Sequence, residues 1–438
     1  MSSCVLLVAS LSGGFFRIPN DLPWSEQTLR PWFLINLIFT SYTFLTSIFY
    51  WLDLNGWRFD LERSAIVTKQ SLLLAASAQY FYLVAHVGFL LGLSLVINWV
   101  PKLKTAFAFG NSANFYIKTA AIGFVAMFAF RYIPGLSQFE VRAKGIFTVA
   151  AAISLGVAYQ NKSQALGLAS FVNFLLVMLA LASGWKEEVL VLVILNSVTF
   201  YPVHPRWTAT ITGLVFVLGF VVLPPISNQI REETWSKDGD QFASTWNAVA
   251  KVAQKPAYQL IEESWVFLAG RLSEQGLFVR YLKSVPEQRP FYGDQIIRQA
   301  ITTPVPRLIW PSKENTERLV HRRVVENGVV SETSKVSAKP QYVVDGYLSF
   351  GGIGVFVSAL IYGIVTQLCS ALCESRLGGY LFGGVMFNGL FALLWRGNCW
   401  EFTFNNLVWS IITAFLIGHI GRSLGWFVPV ANRLAAQR

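Results

Sequence analysis

Ten apolar runs govern what this chain can become. They lie near 32–52, 77–99, 115–133, 145–160, 164–184, 188–203, 207–225, 347–370, 378–395 and 405–425. A helix needs about 20 apolar residues to cross a hydrocarbon core ~30 Å thick, within a working range of roughly 17–25. Runs of this length predict an all-α integral membrane protein with about ten transmembrane helices; the fourth and sixth are short. The rhythm stops at residues 226–346, a polar stretch with no spanning run. The expected organisation is a membrane region over 1–225, one large loop over 226–346 and a second membrane region over 347–438.

Composition supports that division. Hydrophobic residues make up 54% and charged residues 13%, against about 25% charged in ordinary soluble domains. The cysteines Cys4, Cys369, Cys373 and Cys399 form no CxxC pair, and His86, His204, His321 and His419 are scattered. Neither a disulfide framework nor a metal centre is expected. The formal charge of +11 fits basic residues on membrane-flanking loops, not nucleic-acid binding. Trp32, Trp51, Trp99, Trp207 and Trp426 stand at run ends, as interfacial aromatics do. The stretch Cys4 to Leu11 is too short, and lacks a preceding Lys or Arg, to read as a cleaved signal. Pro224-Pro225 is expected to end the seventh span, because successive prolines oppose helix continuation.

The long loop carries the chemistry. Nucleotide-binding and metalloprotease motifs are absent. Asp238-Gly239-Asp240 has a metal-binding form, yet its Ser-Lys-Asp-Gly-Asp-Gln setting reads as a solvated turn. Phe242–Ala253 and Tyr258–Leu272 mix apolar and charged residues at helical spacing and predict amphipathic helices on or near the membrane face. Between 271 and 323 stand ten basic residues, eight of them arginine, against five acids. The guanidinium fork binds phosphate oxygens through paired donors, so the set points to an anion site. Prolines bracket Arg307, Trp310 and Lys313 in Pro304–Lys313 and stiffen the segment. Asp345 stands at the mouth of the eighth span, where capping is the alternative role. His321, beside Arg322-Arg323, is the better acid–base candidate. The positive-inside count is ten against eight in favour of the loop lying outside, a weak vote.

Four elements together resemble the bacterial O-antigen polymerases, the Wzy-like oligosaccharide repeat-unit polymerases. They are Arg271-Leu-Ser273, Gly293, Pro306-Arg-Leu-Ile-Trp-Pro-Ser-Lys313, and Asp345-Gly-Tyr-Leu-Ser-Phe-Gly-Gly-Ile-Gly354. The resemblance covers about 271–366 and implies a fold similar to the GT-C glycosyltransferases that use lipid-linked sugars. It implies a multi-pass protein of the cytoplasmic (inner) membrane, its large loop extracytoplasmic. The implied reaction moves a growing glycan from undecaprenyl diphosphate onto the next lipid-linked repeat unit, with no cofactor. Arg271, Arg307, Lys313 and Arg396 are then expected to hold the lipid diphosphate, and His321 or Asp345 to take the acceptor proton. The expected partners are undecaprenyl-diphosphate-linked glycans, the lipid bilayer and a chain-length regulator. A ligase that moves glycan to another acceptor is the nearest alternative. A polysaccharide flippase is a second, opposed by the lack of an internal repeat.

Overall fold

The computed structural model describes residues 21–23, 26–56, 69–97, 105–107, 112–133, 139–182, 186–236, 241–272, 274–306, 309–332 and 339–430. Cys4 to Leu11, Asp238, Asp240 and Arg307 fall outside the described residues. The helices of the first half are α1 (Leu34–Leu54), α2 (Lys69–Val96), α3 (Ala113–Tyr132), α4 (Glu140–Gln160), α5 (Leu166–Ala182), α6 (Lys186–Phe200) and α7 (Pro205–Ser236). Segment 226–346 contributes α8 (Gln241–Ala253), α9 (Ala257–Phe267), α10 (Gln275–Ser284), α11 (Gln295–Thr302) and α12 (Thr316–Glu326). The chain closes with α13 (Tyr342–Arg376), α14 (Tyr380–Leu390), α15 (Ala392–Arg396) and α16 (Trp400–Ser423). A small antiparallel pair, β1 (Thr105–Phe107) with β2 (Phe427–Pro429), aligns Ala106 with Val428.

All ten apolar runs carry helix among their described residues. Seven helices among the described residues are long and apolar enough to cross a membrane, and shorter apolar helices fill the other three places. The core is therefore a helical bundle whose buried residues join α1, α2, α4, α13, α14 and α16 into one apolar cluster. The expected amphipathic helices appear as α8 and α9, followed by a π-turn over Leu268–Leu272.

Two expectations fail. First, the seventh span does not end at Pro224-Pro225; α7 runs through both to Ser236. Pro225 cannot donate to the carbonyl four residues back, at Val221. The Ser264 hydroxyl of α9 lies 2.7 Å from that oxygen and 2.6 Å from Leu260 O, so its one proton is shared between the two carbonyls. Neighbouring Ser side chains rescue proline-interrupted membrane helices in this way. Beyond the prolines, Ile226 and Ile230 pack with Ala248 and Val252 of α8 in a separate apolar cluster, which gives the extension something to bury against.

Second, the eighth span does not begin at 347. Helical geometry in α13 breaks at Phe350 and Gly351, the latter at φ +61°. Residues 342–349 fold back antiparallel on 352–376 as a tight helical hairpin. Tyr342 stacks on Tyr362 with centroids 3.9 Å apart, and the Ser358 hydroxyl donates to the Tyr342 carbonyl at 2.9 Å. Gly346 and Gly354 meet at the crossing; a Cβ on either would strike the carbonyl oxygen of the other. Tyr342 thus lies about ten residues, ~15 Å, down the long arm from the turn. The loop-side backbone closes the short arm: Tyr292 N–H donates to Leu348 O at 2.8 Å and Gly293 N–H to Ser349 O at 3.1 Å.

Candidate lipid and anion site

The short arm places Asp345 inside the protein. Its carboxylate accepts the backbone N–H of Trp400 at 2.8 Å, so it caps the start of α16 and not its own helix. Its other oxygen lies 3.1 Å from Nη2 of Arg323. Arg323 also donates to both oxygens of Glu401, at 2.5 and 3.0 Å. Asp345 and Glu401 are fully buried and Arg323 is 3% exposed. Burial disfavours the charge on Arg323, but the carboxylates of Asp345 and Glu401 outweigh it, and the pKa of Arg323 rises above the usual arginine value. Cys399 completes a cluster in which Asp345, Cys399 and Glu401 offer ligand atoms within 4.8 Å of one another. The cation this cluster holds is a guanidinium, which already engages both carboxylates.

Arg323 reaches this site because α12 is amphipathic. Val320, Arg323 and Val324 face inward, at the spacing of one helix face. His321 and Arg322 consequently point elsewhere. With Asn315, Arg318 and Glu326 they line an open polar cleft of about 610 Å³. Arg322 pairs with Glu314. The two acid–base candidates are therefore not brought together: Asp345 lies in the buried cluster and His321 in the open cleft, with α12 between them.

The other expected residues are also spread. The Lys313 amine donates to the carbonyls of Thr303 and Val305, at 2.8 and 2.6 Å, and folds the proline-rich turn on itself. Arg271 lies in the π-turn after α9. Arg396 ends α15, its guanidinium 5.6 Å from the Trp395 ring.

Arg396 stands at the most distinctive cavity. A groove of about 460 Å³ runs between α1, α6 and α7, walled by residues such as Leu37, Tyr42, Ile194, Phe216 and Phe220. A π-turn at Ser41–Leu45 widens α1 there; such bulges recur at functional sites. The hydroxyls in the wall are turned to helix carbonyls: Ser41 to Leu37, Thr46 to Tyr42 and Ser197 to Val193, at 2.6–2.8 Å. The surface left is apolar, and Arg396 carries the single formal charge among its lining residues. Arg396 also lines a small adjoining cavity with Gln341, Tyr342, Tyr362 and Gly397 at the foot of the hairpin. One guanidinium thus stands where the apolar groove meets this smaller cavity.

Arg323, Trp400 and Glu401 were not among the residues singled out from sequence. The available signals were the Val320-Arg323-Val324 spacing and an acid opening an apolar run. The chain belongs to a family described as a domain of unknown function (DUF8712), whose model matches residues 1–425. No curated protein and no solved structure matches it.

Proposed function

We propose that this protein is a membrane glycosyltransferase that polymerises undecaprenyl-diphosphate-linked oligosaccharide units, working on the extracytoplasmic face of the cytoplasmic membrane. The observation that carries the reading is the apolar groove with the guanidinium of Arg396 in its lining. An isoprenoid tail needs an apolar channel, and a diphosphate needs a cation where tail and headgroup meet.

In the proposed reaction the acceptor hydroxyl oxygen attacks the anomeric carbon of the donor glycan. The bond from that carbon to the diphosphate oxygen breaks, and the acceptor proton passes to a base. Lipid diphosphate leaves with the bonding electrons. A prepositioned guanidinium stabilises negative charge where it develops, and a hydrogen bond to a charged group contributes about 1.5–3 kcal/mol. Of the two acid–base candidates, His321 faces an open cleft, and Asp345 is engaged by Arg323 and the Trp400 N–H. We assign the base to His321 and a positioning role to Asp345.

The test is polymer length in a deletion strain complemented with variants at matched membrane levels. Arg396→Ala is expected to leave single repeat units, and Arg396→Lys to give short polymer because the paired donors are lost. Full-length polymer from Arg396→Ala would remove this residue from the site. Repeat units trapped on the cytoplasmic face of the deletion strain would replace the transferase reading with a flippase.

A further inference from the structure

Helix α11 and the turn after it present an apolar surface that the bundle does not use. In α11, Ile296, Ala300, Ile297 and Ile301 form one continuous apolar arc at helical spacing, and Asp294, Gln295, Arg298 and Gln299 form the polar one. Half of the apolar arc is consumed inside: Ile296 is fully buried and Ala300 is 4% exposed. The other half is bare, with Ile297 48% and Ile301 57% exposed. The turn that follows adds Ile309, 75% exposed, and Trp310, 43% exposed.

The position of this surface says what covers it. The segment meets α16 at two heights: the Thr303 hydroxyl lies 3.0 Å from Glu401 O, sharing its proton with Ala300 O at 2.7 Å, and Trp409 Nε1 donates to Pro304 O at 3.2 Å. Residues 401, 405, 409, 412, 416 and 420 lie along one stripe of a helix. The segment covers the upper part of that stripe. Directly below it, on the same stripe, Ile412, Leu416 and Ile420 stand 38–52% exposed on a helix of membrane-spanning length and composition. The bare half of α11 therefore continues the lipid-facing surface of α16. At the polar arc the Arg298–Asp294 pair at 2.6 Å stays exposed, and Trp310 adds a half-exposed indole of the kind enriched at membrane interfaces.

We propose that α11 and the residues described after it, 303–306 and 309–313, form an interfacial foot, with Ile297, Ile301, Ile309 and Trp310 seated in the headgroup–acyl boundary of the phospholipid leaflet on this side of the bundle. An amphipathic helix lying in the interface plane with its apolar face buried has this pattern. The foot gives the Pro304–Lys313 element a second meaning. Its prolines and the Lys313 cross-links to Thr303 and Val305 hold a rigid apolar tip against lipid. The proposal stands whether or not the chain transfers glycan.

The test places an environment-sensitive fluorescent amino acid singly at Ile301, Ile309 and Glu332 of the full-length protein. Each variant is reconstituted in phosphatidylcholine–phosphatidylglycerol nanodiscs. Emission at 301 and 309 is expected to be largely quenched by lipids brominated high on the acyl chain and insensitive to aqueous iodide. The label at 332, on the polar cleft, should show the reverse. Iodide quenching at 301 and 309 equal to that at 332 would overturn the foot. Protection from both quenchers would overturn it in favour of a protein cover.

Discussion

Two buried arginines each lie between two carboxyl groups, one beside the C-terminal end of the long arm of α13 and the other against its short arm, and the two clasps are built for different surroundings. In the first, Arg30 donates to both oxygens of Asp21, at 2.6 and 2.7 Å, and to Glu374 at 2.8 Å, with the Tyr380 ring 5.4 Å away. In the second, Arg323 binds Glu401 and Asp345. Both clasps set two carboxyl groups against one guanidinium. The Asp21 side chain, however, is 60% exposed, so water carries the imbalance. Neither partner of Arg323 touches solvent. The first clasp tethers a segment that precedes the bundle. The second locks α12, and with it the cleft of His321, onto the starts of α13 and α16. A wet clasp can open at little cost; a dry one commits the structure.

The comparison is broken most severely at Arg323. Removing one partner of a buried ion pair costs about 3–5 kcal/mol because the remaining charge is stranded. Arg323→Ala should therefore lower thermal stability sharply in nanodiscs and reduce protein level in the membrane. Glu401→Gln should cost less, since it leaves one carboxylate for one guanidinium. Equal losses from the two variants would show that bidentate geometry, not charge balance, holds the dry clasp.

That clasp also shows where sequence reading stops. Length and apolarity suffice to find spans, because a bilayer demands both, and all ten runs carry helix among their described residues. They do not find what distant residues supply. Pro224-Pro225 reads as a helix end because the compensating donor, Ser264, lies 43 residues beyond the Val221 carbonyl it serves. Phe350-Gly351 hides a reversal inside an apolar run, and only the Gly346–Gly354 crossing explains the glycine spacing around it. Arg322 and Arg323 are indistinguishable as a dipeptide. Their fates separate only when α12 turns one toward Glu401 and the other toward Glu314. The groove beside Arg396 is assembled from four helices and has no local signature.

The hairpin that carries Asp345 gives an intermediate effect. Gly354→Ala forces a methyl group against the Gly346 carbonyl, and overpacking of this kind costs about 1–3 kcal/mol. Thermal melts should show a loss smaller than that of Arg323→Ala, and wild-type stability would contradict the tight crossing.

The smallest effect belongs to the wet clasp. Arg30 holds the Asp21 carboxyl below the usual carboxylate range, chiefly through its side-chain hydrogen bond. A depressed folded-state pKa contributes stability that is complete above the unfolded value near ~3.9 and is lost as pH falls through the lower folded value. Asp21→Asn should cost less than about 1 kcal/mol at neutral pH and flatten the acid limb of the stability profile. An unchanged acid limb would assign that limb to other carboxylates.

The groove is the central claim, and lipid binding tests it most directly. Purified protein in nanodiscs should retain undecaprenyl diphosphate through detergent exchange and native mass spectrometry. Arg396→Ala, at unchanged thermal stability, should lose most of the bound lipid, and a bulky Phe216→Trp change in the groove wall should lower retention as well. Retention by Arg396→Ala equal to wild type, or no retention by wild type, would contradict the account.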